Sequence, residues 1–492
     1  MASGAPAFPV APERSIPLAN QADTIYDVAI LGSGPAGYTA AIRGGQLGLK
    51  VALIESEAVL GGTCLHVGCI PTKALLFNAE IWDHLKQAAE YGIAGIGTPQ
   101  LDWAAVQKRK TAIVNKHTKG LEFLMKKNKV TVVPGFGRLT GAAKDGIHTV
   151  DLESAGGHTE LKAKNIILAT GSFARTLFNQ KPDDRILTNI EILALAEPPK
   201  SLIVIGAGAV GVEFSSIFRS FGSEVTIVEF LPRAVPVEDE DISKELTRLF
   251  KKRGIDMNTS CTVTKIERTD AGVKVAWTTA AGKTVEKEAE KVLVGVGRGP
   301  RTAGIGIEKT KIELERDFVK VDEAQQTAEA GIYAVGDIVA GLPQLAHVGA
   351  MSGIVAVSKI AGCKYRPVRR DRIPGCTYTD PQIGSAGLTE AQAREKGHEV
   401  KVGKFPFAGN SKATIVDSHD GFVKIVADAK YGEILGVHII GPQATELIAE
   451  AVAVMELEGT VDELMFTIHA HPTLSEAMLD AYAAVEGMAI NA

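Results

Sequence analysis

The chain has 492 residues, enough for two to four domains around large cores. Its 45% hydrophobic and 23% charged content is that of a globular protein, and a net charge of −5 argues against a basic nucleic-acid surface. No run approaches the roughly 18 apolar residues of a membrane span. The five cysteines, an odd and sparse set, make no secreted disulfide framework.

Residues 1–25 are rich in Ala, Pro and Ser and have no periodicity. They lack the apolar stretch of a secretory signal, and Glu13 and Asp23 make a poor transit peptide. The expectation is a flexible N-terminal extension on a cytoplasmic protein. Residues 26–31 (YDVAIL) then predict a buried strand. Gly32-Ser33-Gly34-Pro35-Ala36-Gly37 predicts a tight turn, and a helix follows over about 38–47. A second strand, 51–54, ends in Glu55, 23 residues after Gly32. Such glycines allow a turn, close approach of backbone to a pyrophosphate, and close helix–strand packing, while the acid can accept from a ribose hydroxyl.

Nine residues after Glu55 comes Cys64, within Gly61-Gly62-Thr63-Cys64-Leu65-His66-Val67-Gly68-Cys69-Ile70-Pro71-Thr72-Lys73. Two thiols five apart beside a dinucleotide site can cycle between disulfide and dithiol. A disulfide needs Cα atoms within ~7 Å, and five residues of regular helix already rise about 7.5 Å. Cys64 and Cys69 therefore bridge only if the helix start is distorted or begins between them. Metal binding finds no second Cys/His pair at zinc spacing.

A helical region is expected over about 72–128. Its Lys/Arg-rich part, 108–127, reads most simply as a solvated face. Residues 130–133 and 146–168 predict a small β-meander, ending at Thr170-Gly171-Ser172. The first pattern then recurs: strand 202–205, turn Gly206-Ala207-Gly208-Ala209-Val210-Gly211, helix 212–221, and strand 225–228 ending in Glu229, again 23 residues on. One GxGxxG is weak evidence; the whole unit found twice is strong. A carboxylate at the ribose position repels a 2′-phosphate, so Glu229 favours NAD(H), with Arg233 near enough to matter. Strands are expected at 291–297 and 331–335. Asp337 at the end of the latter suits either a ribityl or ribose hydroxyl or a helix cap. From 372 onward, strands at 377–379, 401–407, 421–427 and 434–440 and helices at 444–458 and 475–489 predict an α+β domain. Near its end, His469-Ala470-His471-Pro472-Thr473-Leu474-Ser475-Glu476 offers a base, His471, that Glu476 can hold in one tautomer. Two histidines near a helix start also fit a structural role. Ser475 is a candidate cap for the last helix.

These motifs together resemble the pyridine-nucleotide disulfide oxidoreductase family, and within it the dihydrolipoamide dehydrogenase branch, over about 26–487. The resemblance rests on the first glycine turn with Glu55, GGTCLHVGCIPTK (61–73), ATGS (169–172), GAGAVGVEF (206–214), GVGRGP (295–300), AVGD (334–337) and HAHPTLSE (469–476). It implies an α/β fold of two Rossmann-like dinucleotide-binding domains, for FAD and NAD, plus a C-terminal α+β dimerisation domain. The implied boundaries are 26–172 and 297–370 for FAD, 173–296 for NAD and 371–492 for dimerisation. Cys64 would exchange with substrate and Cys69 would lie against the flavin. Lys73 and Glu213 would pair near its reactive nitrogen. His471, held by Glu476, would serve as base from the other subunit of a homodimer. The flavin site would further draw on Gly32, Gly34, Pro35, Ala36, Gly37, Glu55, Gly62, Thr63, Gly137, Thr170, Gly171, Ser172, Asp337, Gln344, Leu345, Ala346 and His347. The NAD site would use Gly206, Gly208, Gly211, Glu213, Glu229, Val263 and Gly297.

The implied activity is oxidation of protein-bound dihydrolipoamide with reduction of NAD⁺. Its partner would be the lipoylated carrier of a 2-oxoacid dehydrogenase, glycine-cleavage or other lipoyl system. The alternatives are another FAD-dependent NAD(P)H disulfide reductase, which usually demands the NADPH that Glu229 disfavours, and a non-catalytic flavoprotein subunit. His66 departs from the family pattern, standing where Asn is typical; it either tunes the thiols or is a tolerated variant.

Overall fold

The computed structural model describes residues 24–491, so residues 1–23 of the expected extension lie outside it. The described residues fold as two compact units, each built from three stretches of sequence: up to 71, 108–174 and 298–368 in the first; 72–107, 175–297 and from 369 onward in the second.

In the first unit the apolar run Ile25–Leu31 is a central strand, paired in parallel with Val51–Glu55 on one side and Gly157–Leu168 on the other. Thr131–Pro134 and Ile332–Ala334 extend the parallel sheet at its two sides. Strands buried on both faces read as continuous Val/Ile/Leu, as these do. Gly157–Leu168 joins the parallel and antiparallel parts of one seven-stranded sheet. Its first half pairs antiparallel with His148–Ser154, itself paired to Phe136–Leu139, while its second half belongs to the parallel layer. The expected meander is therefore real but shares its longest strand with the nucleotide-binding sheet. The helix after the first turn begins at Pro35, three residues earlier than expected, with Gly34 as N-cap.

In the second unit, five parallel strands run in the order Asp256–Asn258, Glu224–Val228, Ser201–Ile205, Lys291–Val294, Ile186–Leu187. Three antiparallel strands unforeseen in the sequence, Thr262–Arg268, Val273–Thr278 and Thr284–Ala289, pack on this layer. The last part is a five-stranded antiparallel sheet, covered by helices Ala444–Glu456 and Glu476–Val485. It includes Gln382–Gly387, also unforeseen. The expected helical region consists of two helices, Cys69–Lys86 and Trp103–Lys127, separated by a non-helical stretch with Gly92, Gly95 and Gly97 at positive φ. Among the described residues no helix is long and apolar enough to cross a membrane.

Candidate active site

The two glycine turns have the same architecture. Each follows a central parallel strand, and each feeds a helix whose N-cap is the second glycine, Gly34 or Gly208. A Cβ on Gly37 would sit 1.9 Å from the Gly32 carbonyl oxygen, and one on Gly211 would sit 1.9 Å from that of Gly206. Only glycine lets each helix start so close to its strand. At Gly34 and Gly208, by contrast, a Cβ would project into open space. Packing does not require glycine there; approach of a pyrophosphate to the backbone at a helix N-terminus does. Both turns thus fit a dinucleotide.

The acids bind their own turns. Glu55 Oε2 accepts from the Ser33 amide at 2.9 Å and the Ser33 hydroxyl at 2.6 Å, while Oε1 accepts from the Glu57 amide at 2.9 Å. Glu229 repeats this, accepting from the Ala207 amide at 2.5 Å and the Leu231 amide at 2.7 Å. An ionised carboxylate has about four lone-pair sites, so acceptor capacity is left for a ribose hydroxyl. The Arg233 guanidinium donates to the Pro236 carbonyl at 2.9 Å.

Cys64 lies in the short helix Gly62–Val67, and Cys69 opens the next helix. Gly68 between them is neither helical nor extended (φ −142°, ψ −120°). Its absent Cβ would lie 2.8 Å from the Thr63 carbonyl oxygen and 3.2 Å from Cys64 Cα. The new helix therefore begins between the cysteines, the condition that a bridge requires. The segment is moored to the first turn: the Gly61 amide donates to the Ser33 carbonyl at 3.1 Å. His66 Nε2 bonds the Leu60 carbonyl at 2.8 Å; with a carbonyl as acceptor, that nitrogen carries the proton. A cavity of about 200 Å³ opens beside Cys64, lined by Tyr38, Leu65, Ile70, His117, Gly120 and Leu121 among others. Burial pushes the Tyr38 phenol up, and negative charge on Cys64 and Cys69 pushes the same way.

Elsewhere in the first unit Asp337 sits in a short 3₁₀ turn, capping no α-helix, and accepts from the Ser172 hydroxyl at 2.5 Å. Arg298 donates to the Ser172 hydroxyl (2.7 Å) and carbonyl (2.9 Å). Thr170 donates to the Arg301 carbonyl at 2.6 Å. In the sequence Arg298 stands out only as part of GVGRGP; its role in fastening Ser172 depends on the antiparallel pairing of Ser172–Ala174 with Arg298–Pro300. Gln344 donates to the Asp337 carbonyl at 3.3 Å, and Leu345 is the N-cap of the helix carrying Ala346 and His347. Gly137 lies in the Phe136–Leu139 strand against Leu31.

In the second unit Lys73 Nζ meets both oxygens of buried Glu213, at 2.9 and 2.8 Å, and stands 4.5 Å from the centre of the Tyr378 ring. The Tyr378 amide also donates to Glu213, at 2.9 Å. Val263 lies at a register shift in the Thr262–Arg268 strand, and the Gly297 carbonyl accepts from the Arg175 amide at 3.0 Å. His471 Nδ1 lies 2.9 Å from Glu476 Oε1, and Glu476 Oε2 accepts from the Thr473 amide at 2.8 Å. Burial opposes ionisation of Glu476, but these hydrogen bonds hold its carboxyl below the usual range. His471 is exposed, whereas the His469 side chain is buried with Thr467 and Glu450 as partners. Ser475 stands at the N-cap but makes no cap bond; its hydroxyl pairs with that of Thr473. Among the described residues no group of three or more His, Cys, Asp and Glu is arranged to hold a metal ion.

A thiol pair with Cys64 on a cleft, in a chain with two dinucleotide turns, is the equipment of an oxidoreductase that moves electron pairs between a nucleotide and a disulfide. The chain belongs to the pyridine nucleotide-disulphide oxidoreductase family: residues 26–353 match its main model and 373–482 its dimerisation domain. FAD and NAD are its cofactors. It is 44% identical to a dihydrolipoyl dehydrogenase of Bacillus subtilis, over 95% of this chain and 99% of that one. It is 43% identical to a dihydrolipoyl dehydrogenase of Mycobacterium tuberculosis, over 95% and 100%. Among solved structures, LpdA of M. tuberculosis aligns with a TM-score of 0.85 at 29% identity, over 92% of this chain and 98% of that one. The HOCl-induced flavoprotein disulfide reductase RclA of Escherichia coli, solved as a copper(II) complex, aligns with a TM-score of 0.82 at 27% identity, over 94% and 99%.

Proposed function

We propose that this chain is a homodimeric cytoplasmic enzyme that oxidises protein-bound dihydrolipoamide to lipoamide and passes the electrons to NAD⁺. The observation that carries this reading is the helix break at Gly68, which leaves Cys64 and Cys69 on separate helices beside an apolar cleft. The dihydrolipoyl dehydrogenases to which the chain is similar along nearly its whole length supply the substrate.

In this reading His471 of the partner subunit takes a proton from a substrate thiol through Nε2. Glu476, bonded at Nδ1, fixes that tautomer and stabilises the charged ring. The substrate thiolate attacks Cys64 Sγ, the Cys64–Cys69 bond breaks, and Cys69 leaves as thiolate. The second substrate sulfur then attacks the first, the lipoyl disulfide closes, and Cys64 is released with both electrons now in the pair. FAD and NAD, when bound, accept those electrons in turn. We assign FAD to 26–172 with 297–370, on the Gly32–Gly37 turn with Ser172 and Asp337, and NAD to 173–296, on the Gly206–Gly211 turn. Glu213, buried, fixes Lys73 in an ion pair.

The test is a steady-state assay of the holoprotein with NAD⁺ and dihydrolipoamide. NADH formation, with NADP⁺ a poor substitute, supports the assignment. No NADH formation from protein with FAD confirmed bound would instead favour a non-catalytic flavoprotein.

A further inference from the structure

From 108 to 129 the chain sets eight Lys and Arg against one acid, Glu122, in a protein of net charge −5. Nearly all of this segment belongs to the Trp103–Lys127 helix, whose period sorts it by face. Thr118, Leu121 and Met125 are buried. His117, Gly120, Leu121 and Leu124, at i, i+3, i+4 and i+7, line the cleft beside Cys64. Lys116, Lys119, Phe123, Lys126 and Lys127 are all exposed and share the adjoining roughly 100° of helix surface. Glu122 borders the stripe on the side away from the cleft, one turn from both Lys119 and Lys126. Solvation accounts for charge on an exposed face but not for four lysines gathered there against a single acid. Like charges three residues apart, such as Lys116 and Lys119, oppose the helix.

We infer that the basic 116–127 stripe is a docking surface for an acidic carrier domain, which it orients so that the carrier's dithiol arm enters the Cys64 cleft. This rests on the dihydrolipoyl reading above. The enzyme's overall negative charge repels an acidic carrier, so a positive stripe along the cleft selects the approach that brings the arm to the thiols. Phe123, 64% exposed among the lysines, supplies an apolar contact once the two surfaces meet.

The test compares two substrates: free dihydrolipoamide, and a purified dihydrolipoylated carrier domain with an acidic surface. In the holoenzyme variant K116E/K119E/K126E/K127E, kcat/KM for the carrier should fall about tenfold or more, within the range of electrostatic steering. Its salt dependence should disappear, and free dihydrolipoamide should turn over as before. A carrier whose surface acids are changed to Asn and Gln should be slow with wild type and indifferent to the variant. Equal loss for both substrates would mean a structural defect and overturn the inference. So would unchanged carrier turnover, including the case where anionic vesicles or RNA bind wild type but not the variant. A wild-type holoenzyme inactive on free dihydrolipoamide would overturn the functional reading itself.

Discussion

His471, proposed above as the base, and His66, between the two cysteines in sequence, differ in their hydrogen-bond partners. The exposed His471 ring is held at Nδ1 by Glu476, which leaves Nε2 to take a proton. His471→Gln should lower dihydrolipoamide turnover by about 10²–10⁴-fold, the usual contribution of a positioned base, while NADH still reduces the bound flavin in a stopped-flow trace. Near-normal turnover would move the base elsewhere. His66 donates to Leu60 O at the root of the thiol segment, a bond that fastens backbone. His66→Ala should therefore cost about 0.5–1.5 kcal/mol, the net worth of one hydrogen bond, read as a lower thermal midpoint with turnover little changed. Slower turnover at unchanged stability would make His66 a tuner of the cysteines instead.

The two strand–turn–helix elements allow the nucleotide sites to be broken one at a time. In Gly211→Ala the new methyl meets the Gly206 carbonyl, and in Gly37→Ala that of Gly32, each far inside contact distance. Gly211→Ala should purify with normal flavin content but a KM for NAD⁺ raised at least tenfold. Gly37→Ala should lose flavin absorbance. Loss of flavin from Gly211→Ala would reverse the assignment of the turns. Both elements were legible in the sequence because their physics is local: glycine where no Cβ fits, an apolar strand before it, and an acid 23 residues on. The Gly68 break was legible as a condition, since bridging cysteines five apart forbids a regular helix. Gln382–Gly387 was not: two glycines in six residues carry no strand pattern, and the segment is a strand because Ile434–Gly441 pairs along its whole length. The Val273–Thr278 strand did carry its signal, with large apolar residues at alternate positions, Val273, Val275 and Trp277, all buried. It sat between louder motifs. The Ser172–Asp337–Arg298 cluster joins residues 126 and 165 apart, a relation that only the folded sheet creates.

At the scale of the whole molecule, a charge cluster buried in the second unit shapes the response to pH. Lys424, 3% exposed, reaches Asp239 at 2.8 Å, Glu390 at 2.9 Å and Asp241 at 3.1 Å, tying the antiparallel sheet to helices Glu240–Lys252 and Glu390–Glu395. Burial works against the Lys424 charge, but its carboxylate partners outweigh that and raise its pKa. The same bonds hold Asp239, Asp241 and Glu390 below their ordinary values. Depressed carboxylates stabilise the fold above their unfolded values of 3.8 and 4.5, and lose that contribution as pH falls through their lower folded ones. Two buried neighbours act at higher pH. His438, pushed down by burial, stays neutral in the fold and costs stability as pH drops below 6.5. Glu238, pushed up by burial, has the opposite sign and costs stability as pH rises above 4.5. Lys424→Met should thus be destabilised by about 3–5 kcal/mol at neutral pH, the cost of stranding buried charge. Its deficit against wild type should shrink as pH is lowered through the carboxylate range, because protonation removes the repulsion that the lysine had offset. Calorimetric midpoints of both proteins between pH 3 and 8 measure this. A deficit constant with pH would mean that lost packing of the lysine stem, and not its charge, binds these elements together.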